Sequence, residues 1–557
     1  MNNNIKSIIL ILFMITLSRS SLAQTLDRRD MLKRDYKYFI CDIMEGNVDS
    51  AISICKSELK KNPNNAEVYF NLTLSYSQKS DMDSAFFYFN KAINNGIPFE
   101  RFLSGPRKLL EPFTTTKKFK QYYEQSQVEV LHGPMLGDVT DTSARFWIRT
   151  LNESHFKIVL SKTENFEKTI VTNISLTSKE NDFTGIVEAN GLESNKTYFY
   201  KLIINGKEYV GSQNLNFKTY PKAGGNKKFS IAFGGGSNYN PTYEYIWETI
   251  LEHNPLAFLW LGDNTYFNIA DVSEHQRYCF YRRYSRPEFR KLTQSIPTYA
   301  IYDDHDFGGN DCVGGPLIDK PLWKKDVTLK IFKENFNNPY YGNGEETPGC
   351  WHNLSIGKVE VFMLDGRYYR TDPRGEDSLY IDSDAKHASM LGSVQKEWLF
   401  DKLKKSKATF KIIASPVPWA SSSKKSTQWS ANLGKMFGAL DTWQGFPEER
   451  EEIFSFIEQN KIEGVFLISA DRHRSDAWKI ERENGYALYE AMSSHLTKDS
   501  SHPFQPEAIF SILGKPAFGK LTFDFTKDDP EIIYQVVKID GKIVAELIVK
   551  ESELKTK

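Results

Sequence analysis

The stretch IYDDHDFGGND, residues 301–311, places four ionisable side chains in a row directly after an apolar run. Four neighbouring charges would repel one another and lose their hydration inside an ordinary core. At the end of a buried strand, where a loop opens to solvent, the same side chains can surround metal ions. The sequence therefore predicts a strand that ends in a metal-binding loop containing Asp303, Asp304, His305 and Asp306.

Two further stretches have the same design. In PLAFLWLGDNTYF (255–267) an apolar run is followed by Asp263 and Tyr266. In EGVFLISADRHRSD (463–476) the apolar run Val465–Ile468 is followed by Asp471 and His473. Because ligand sites in open α/β sheets lie outside the carboxyl ends of the strands, we expect these side chains to meet at one edge of a sheet.

The chemistry of these side chains suits two metal ions. Hard cations prefer oxygen donors, and imidazole is added for iron, zinc or manganese. Asp263 could bridge two ions, and the D-x-x-Y spacing adds a phenol oxygen, which suits ferric iron. Two ions held in this way can clamp a phosphate and lower the pKa of bound water. The candidate ligands are Asp263, Tyr266, Asp304, Asn310, Asp471 and His473.

The same region supplies a candidate proton donor. His305 is predicted to protonate or hydrogen-bond the leaving oxygen, and Asp306 to orient its ring. Cys312 is either a further ligand, a plain buried thiol or the disulfide partner of Cys350. The five cysteines of the chain are too few and odd in number for a disulfide framework, although Cys41 and Cys55 could pair.

Composition excludes some classes of function and indicates a compartment. The chain has 557 residues and a formal net charge of zero, so it lacks the basic footprint of a nucleic-acid-binding protein. Residues 1–23 are typical of a secretory signal, with Lys6, an apolar core and small residues before Gln24. We therefore expect a periplasmic or secreted protein with no membrane span after cleavage. An uncleaved anchor is the alternative.

Residues 30–127 are predicted to be helical and repetitive. The triplet Asp49-Ser50-Ala51 recurs 34 residues later at residues 83–85, and each copy opens an amphipathic run. This period resembles tetratricopeptide repeats. A peptide-binding role, with a protein or peptide partner, and a plain helical spacer are both open.

The rest of the chain changes pattern twice. Residues 128–222 contain short alternating strands, with a hairpin turn at Asn205-Gly206, and predict a fibronectin-like or immunoglobulin-like β-sandwich. From residue 228 to 557, apolar strands alternate with helices and indicate an α/β domain, which ends in a hairpin turning at Asp540-Gly541. The predicted fold class is therefore multidomain: a helical repeat region, a β-sandwich and an α/β domain.

Together the motifs resemble the PhoD-type alkaline phosphatases of the calcineurin-like metallophosphoesterase superfamily. The resemblance covers residues 128–550 and implies that the α/β domain is a metallophosphoesterase sandwich with the metal ligands named above. It also implies that Arg367 clamps phosphate, with a structural ion pair as the alternative, and that Trp443 lines the cleft. The motifs are LGDNTY, YDDHDFGGND, LDGRYYR (364–370), LGSVQKEWL (391–399), DTWQGFPEER (441–450) and SADRHRSD.

The resemblance implies an exported phosphoesterase that hydrolyses phosphomonoesters or phosphodiesters through a metal-bound hydroxide. A phospholipase-like diesterase and a non-catalytic, repeat-bearing binding protein are the alternatives. The sequence departs from the family pattern at two places, of which the second is a small change and the first bears on the choice among iron, calcium, manganese and zinc. Gly235-Gly236 stands where the family has Ser-Cys, and Ala470 stands where it has glycine before Asp471.

Overall fold

A computed structural model describes residues 32, 35–126, 128–212, 215–312, 325–371, 388–420, 441–499 and 502–556. The predicted signal, residues 1–23, lies outside the described residues. The chain forms two compact units, residues 1–128 and 129–557. Among the described residues, no helix is both long enough and apolar enough to span a membrane.

The described part of the first unit is helical. Helices Val48–Lys61 and Met82–Asn94 begin 34 residues apart, as the sequence repeat predicts, and Ala51 and Ala85 are both fully buried within them. The assignment to tetratricopeptide repeats stays a prediction. The helices are α1 Phe39–Met44, α2 Val48–Lys61, α3 Ala66–Gln78, α4 Met82–Asn94, α5 Glu100–Ser104, α6 Arg107–Thr114 and α7 Lys117–Ser126, after a 3₁₀ turn at Tyr36–Tyr38.

The second unit opens with two antiparallel sheets. One has the order β1-β2-β6, and the other has the order β4-β3-β7-β8 with β5 on β3 and β9 on β7. Phe146 packs between Tyr200 and Phe217 in their shared core, with ring centroids 4.9 and 5.6 Å away. A kinship with fibronectin stays a prediction. The strands are β1 Val130–Gly137, β2 Ser143–Thr150, β3 His155–Ser161, β4 Thr169–Val171, β5 Ser175–Leu176, β6 Thr184–Asn190, β7 Thr197–Ile204, β8 Lys207–Glu208 and β9 Leu215–Lys218, with 3₁₀ turns at Lys179–Asn181 and Val210–Ser212.

Two larger mixed sheets follow. The first has the order β12-β11-β10-β20-β21-β22, and the second has the order β13-β14-β15-β16-β18-β17-β19. In the first sheet β10, β11 and β12 are parallel, and in the second sheet β14, β15, β16 and β18 are parallel, as their continuous apolar character predicts. The strands are β10 Lys228–Gly234, β11 Phe258–Leu261, β12 Thr298–Ile301, β13 His352–Ile356, β14 Val359–Met363, β15 Phe410–Ala414, β16 Val465–Ser469, β17 Ser475–Ile480, β18 Leu488–Ser493, β19 Phe510–Ile512, β20 Ala517–Asp524, β21 Glu531–Lys538 and β22 Ile543–Lys550.

Helices flank these two sheets. The aromatic-rich segment 278–293 belongs to two helices, because Pro287 cannot continue the first helix and instead starts the second. The helices are α8 Ile246–Glu252, α9 Ser273–Tyr284, α10 Pro287–Ser295, α11 Asp304–Phe307, α12 Lys325–Asn335, α13 Gly392–Lys405 and α14 Pro447–Gln459, with 3₁₀ turns at Trp443–Gly445 and Glu551–Leu554.

Buried side chains of both large sheets belong to one continuous core, which also includes the antiparallel sheets before them. Trp147 Nε1 donates to the carbonyl of Glu334 at 3.1 Å, and Arg149 donates to Asn335 Oδ1 at 3.0 Å. These bonds tie β2 to the end of α12. The two predicted domains of residues 128–557 therefore pack as one unit, and the boundary predicted near residue 222 stays a prediction.

We expect a chain that begins near Gln127 to fold and to keep its turnover number on a small phosphate ester. All candidate site residues lie in the second unit, which has its own core. Thermal unfolding and the rate of p-nitrophenyl phosphate hydrolysis, compared with the full chain, test this. A folded truncation with no activity would show that the helical unit shapes the site.

Candidate metal centre

The loop after β11 is held in an unusual backbone conformation. Asp263 and Tyr266 both have positive φ values, 54° and 55°. A Cβ at Gly262 would lie 2.5 Å from Cβ of Asp303, so glycine is needed where the loops after β11 and β12 meet. The Tyr266 hydroxyl donates to Oδ2 of buried Asp263 at 2.5 Å. The predicted D-x-x-Y pair is therefore brought together.

The loop after β12 contributes a carboxylate and an imidazole. Asp304 starts the short helix α11, and its carboxylate accepts from the backbone N–H of Asp311 at 2.7 Å. The His305 ring stacks on Tyr266, with centroids 4.3 Å apart, and its Nδ1 donates to Oδ1 of Asn268. With Nδ1 engaged, Nε2 is the ring nitrogen that can exchange a proton.

Asp306 does not orient His305, so that prediction is wrong. Its carboxylate accepts from the backbone N–H groups of Asn264 at 2.5 Å, Thr265 at 2.7 Å and Tyr266 at 3.3 Å. Burial raises the pKa of Asp306 to about 6 even though these three bonds favour the ionised form. Asp306 therefore positions the loop that carries Asp263 and Tyr266, and acts on the site through that loop.

The loop after β16 brings the third motif to the same place, but from the second large sheet. The prediction that all three motifs meet at one edge of a single sheet is therefore wrong, because the site is shared by strand ends of two sheets. Asp471 and His473 have φ values of 69° and 44°, and the N–H of His473 donates to the carbonyl of Asp471 at 3.0 Å. Nε2 of His473 lies 3.1 Å from the Tyr266 hydroxyl and 4.0 Å from Oδ2 of Asp263. Burial, reinforced by the positive charge of Lys498, lowers the pKa of His473, which favours the neutral ring that a metal ligand requires.

Two groups of side chains could each hold an ion, and they share Asp304. The first group is Asp263, Asp304 and His305, and the second is Asp304, Asp311 and Asp441. In each group the candidate ligand atoms lie within 4.8 Å of one another.

The sequence analysis did not identify Asp311 and Asp441 as candidate ligands. The signal for Asp311 was its place at the end of the acidic stretch, whereas Asp441 follows no described strand directly. Asn310 is exposed, and its role as a ligand stays a prediction.

The donor set fits hard cations. Oδ1 of Asp263 and Oδ2 of Asp303 are buried and receive no hydrogen bond from any residue that the structure describes. Burial, followed by repulsion from Asp304 and Asp303, raises the pKa of Asp263 well above its ordinary value. The pKa of Asp311 is raised to about 7, by burial and then by the charge of Asp441. A bound cation would relieve the repulsion and supply the missing partners.

The structure contradicts the prediction that Arg367 clamps substrate phosphate. The guanidinium is fully buried: Nε donates to Asp303 Oδ1 at 2.6 Å, and the two terminal nitrogens donate to both oxygens of Asp441 at 2.8 Å. It also donates to the carbonyl of Cys312 at 2.9 Å. Arg367 is therefore the structural ion pair that the sequence left as the alternative.

Trp443 does not line the cleft, and that prediction is also wrong. Its ring is fully buried and stacks on Trp419, with centroids 4.2 Å apart. Its Nε1 donates to Oγ of Ser415 at 2.9 Å. A fully buried indole with a stacked face and an engaged N–H is a core residue, and it cannot contact a substrate.

None of the five thiols, all of which the structure describes, is bonded to another. The pairings Cys41–Cys55 and Cys312–Cys350 are therefore not formed. Sγ of Cys312 donates to the carbonyl of Asp304 at 3.6 Å, and burial raises its pKa to about 12. A protonated donor is a poor metal ligand, so Cys312 is a plain thiol.

The glycine pair after β10 is required by its surroundings. Gly236 has a φ of +66°, and a Cβ there would lie 2.7 Å from the carbonyl oxygen of Ser494. A Cβ at Gly235 would lie 2.7 Å from Cβ of Ala470. The two departures noted in the sequence are therefore linked: the methyl group of Ala470 occupies the space that a side chain at residue 235 would need.

The fold is that of known phosphatases. A structure of PhoD matches with a TM-score of 0.60, at 17% identity over 77% of this chain and 91% of that one. Purple acid phosphatase PPD1 of yellow lupin matches with a TM-score of 0.54, at 13% identity over 76% and 75%. These likenesses establish the two-sheet phosphatase architecture.

The chain belongs to the PhoD-like phosphatase family. The family's phosphatase domain matches residues 231–515, just over half of the chain, and its N-terminal domain matches residues 116–221. Alkaline phosphatase D of Bacillus subtilis is 24% identical in an alignment 350 residues long, which covers 57% of this chain and 58% of that protein. This chain therefore spans less than two thirds of that relative's length.

The linkage between Gly235 and Ala470 predicts a rescue. Gly235→Ala should lower the free energy of unfolding by about 1–3 kcal/mol because of overpacking, and adding Ala470→Gly should recover part of that loss. Gly236→Ala should not be rescued by Ala470→Gly, since its obstacles are the Ser494 carbonyl and the positive φ. Denaturant unfolding of wild type, Ala470→Gly, and Gly235→Ala and Gly236→Ala each with and without Ala470→Gly measures both effects. Equal losses with and without Ala470→Gly would contradict the linkage.

Proposed function

We propose that this protein is a metal-dependent phosphoesterase that hydrolyses phosphomonoesters or phosphodiesters. The observation that carries the proposal is the convergence of three strand-end loops on one acidic cluster with two histidines. Family membership supports it, because the conserved architecture of these phosphatases is the one found here. The non-catalytic alternative has less support, since Asp263, Tyr266, Asp304, His305 and His473 lie within reach of one another.

The ions would be held by carboxylates of all three loops together with Tyr266 and His473. When bound, they would polarise a phosphoryl group and neutralise charge that develops on it. Gly236 offers no side chain, and a cysteine cannot be placed there without displacing Ser494. Because no soft thiolate is available at that position, we propose an exchangeable ion such as manganese, zinc or calcium in place of tightly held iron.

His305 is the proposed acid for the leaving oxygen. Its ring is fixed on one face by Tyr266 and at Nδ1 by Asn268. The ring is half-buried, whereas the neighbouring carboxylates are buried, so its Nε2 can reach a substrate from the open side. A proton held at Nε2 would pass to the oxygen as its bond to phosphorus breaks.

Lys498 is the proposed phosphate-binding cation, since Arg367 is fully engaged. Its ammonium lies 3.3 Å from Nε2 of His473 and 5.2 Å from the centroid of the Tyr266 ring. The side chain is half-buried at the edge of the cluster. A positive charge at that edge would attract a phosphate before it meets the carboxylates.

Two further proposals concern the start of the chain. Export to the periplasm or beyond rests on the sequence of residues 1–23. A peptide partner for the helical unit rests on its 34-residue repeat, and a spacer role is equally consistent with it. The stacked rings of Tyr69, Tyr76 and Tyr88 offer an aromatic surface for such a partner.

We expect His305→Ala to lower kcat for p-nitrophenyl phosphate by about 10²–10⁴-fold, because it removes the proton donor. Lys498→Gln should instead lower kcat/KM by about 10–100-fold, mainly through KM, because it removes a charged contact to phosphate. The controls are His155→Ala and Lys330→Gln, which replace exposed residues away from the site.

Steady-state kinetics on folded, metal-loaded proteins separates these roles. If wild type and His305→Ala hydrolyse mono- and bis-p-nitrophenyl phosphate at the same trace rate, the protein is not a phosphoesterase. An unchanged KM in Lys498→Gln would remove Lys498 from the phosphate site without affecting the role of His305.

A further inference from the structure

A cavity of about 1040 Å³ lies at the amino-terminal ends of the parallel strands of the first large sheet, opposite the strand ends that carry the candidate ligands. Its walls include the end of β9, the start of β10, the turn before β11 and the outer face of β20. The candidate metal ligands follow the carboxyl ends of β11 and β12, whereas this cavity lies where β10–β12 begin. The two places are separated by about one strand length, on the order of 20 Å for seven residues.

Among the residues that the structure describes, the cavity lining includes four lysines and no acidic side chain. Lys228 pairs with Asp524, which does not line the cavity, at 3.0 Å. Lys218, Lys227 and Lys520 form no ion pair with any residue that the structure describes. In a chain with no net charge, these three lysines, beside a fourth that is paired with Asp524, give the cavity a local positive field.

Lys520 is the least expected of these lysines. It lies on β20, between Ala232 of β10 and Gln535 of β21, and its side chain is half-buried. Burial and then the charge of Lys228 lower its pKa, so the charged form is disfavoured in the absence of a partner. A bound anion would supply that partner.

Neutral hydrogen-bond donors complete the lining. Asn195, Asn216 and Asn254 contribute side-chain amides, and Thr197 and Ser295 contribute hydroxyls. These groups can donate to the oxygens of a phosphate while the lysines balance its charge. The volume is far larger than one phosphate ion needs and is in the range of cavities that bind small organic ligands.

We propose that this lysine-lined cavity binds a small organic molecule that carries two or more phosphate groups. The site is distinct from the metal centre and does not depend on the proposed hydrolytic function. Its recognition is electrostatic, through Lys218, Lys227, Lys228 and Lys520, with the amides and hydroxyls setting the orientation of the phosphates.

The test uses β,γ-methylene-ATP as the probe and isothermal titration calorimetry at 0.15 M salt. We expect the full-length wild type and Asp263→Asn, which disables the metal centre, to bind it equally. Lys218→Gln/Lys520→Gln should raise Kd at least tenfold, whereas the control Lys330→Gln should leave it unchanged. Lys218→Glu/Lys227→Glu, which alters exposed side chains only, should weaken binding similarly and covers the case in which the Lys520 variant fails to fold.

Binding that is lost in Asp263→Asn and kept in both lysine variants would overturn the proposal, since the probe would then occupy the metal centre. The absence of binding by wild type at millimolar probe would overturn it as well. Neither result would bear on hydrolysis, which is measured separately with His305→Ala.

Discussion

The ion pairs of Arg367 are the interaction on which the site depends. Arg367 follows a strand of the second large sheet, whereas its partner Asp303 follows a strand of the first, and Asp441 accepts two of its hydrogen bonds. A buried guanidinium between two carboxylates offsets part of the repulsion within the acidic cluster. It also locks the loops of the two sheets at the edge where the candidate ligands meet. The negative charge that remains is what a metal ion would neutralise.

Strained backbone conformations occur at the same edge. Asp263, Tyr266, Asp471 and His473 all adopt positive φ, which is rare for residues with a side chain. The loop that contains Asp263 and Tyr266 is held by Asp306, whose carboxylate accepts hydrogen bonds from three consecutive backbone N–H groups of that loop. These conformations turn the chain sharply after each strand, so that side chains from successive loops face one another. The strain is therefore tied to the placement of ligands.

The sequence predicted the location of the site better than its contacts. Apolar runs that end in acid, phenol or imidazole are a local pattern, and parallel strands of one sheet bring their carboxyl ends together, so the grouping of Asp263, Tyr266 and Asp304 was foreseeable. His473 follows a strand of the other sheet, and how two sheets pack has no signal in one sequence. The partners of Arg367 and the burial of Trp443 depend on residues more than 20 positions away, for which one sequence has no signal. Asp306 was assigned to its neighbour His305 because sequence proximity was the only guide, whereas its carboxylate turns to the β11 loop.

The central claim is that these loops form a metal site needed for hydrolysis, and metal analysis tests it most directly. We predict that wild-type protein, purified without chelator and analysed by inductively coupled plasma mass spectrometry, carries about two ions per chain. Asp263→Asn should lose most of that metal, whereas the exposed control Asp83→Asn should keep it. A wild-type protein that hydrolyses phosphate esters at full rate after exhaustive chelation, with no metal detectable, would contradict the account.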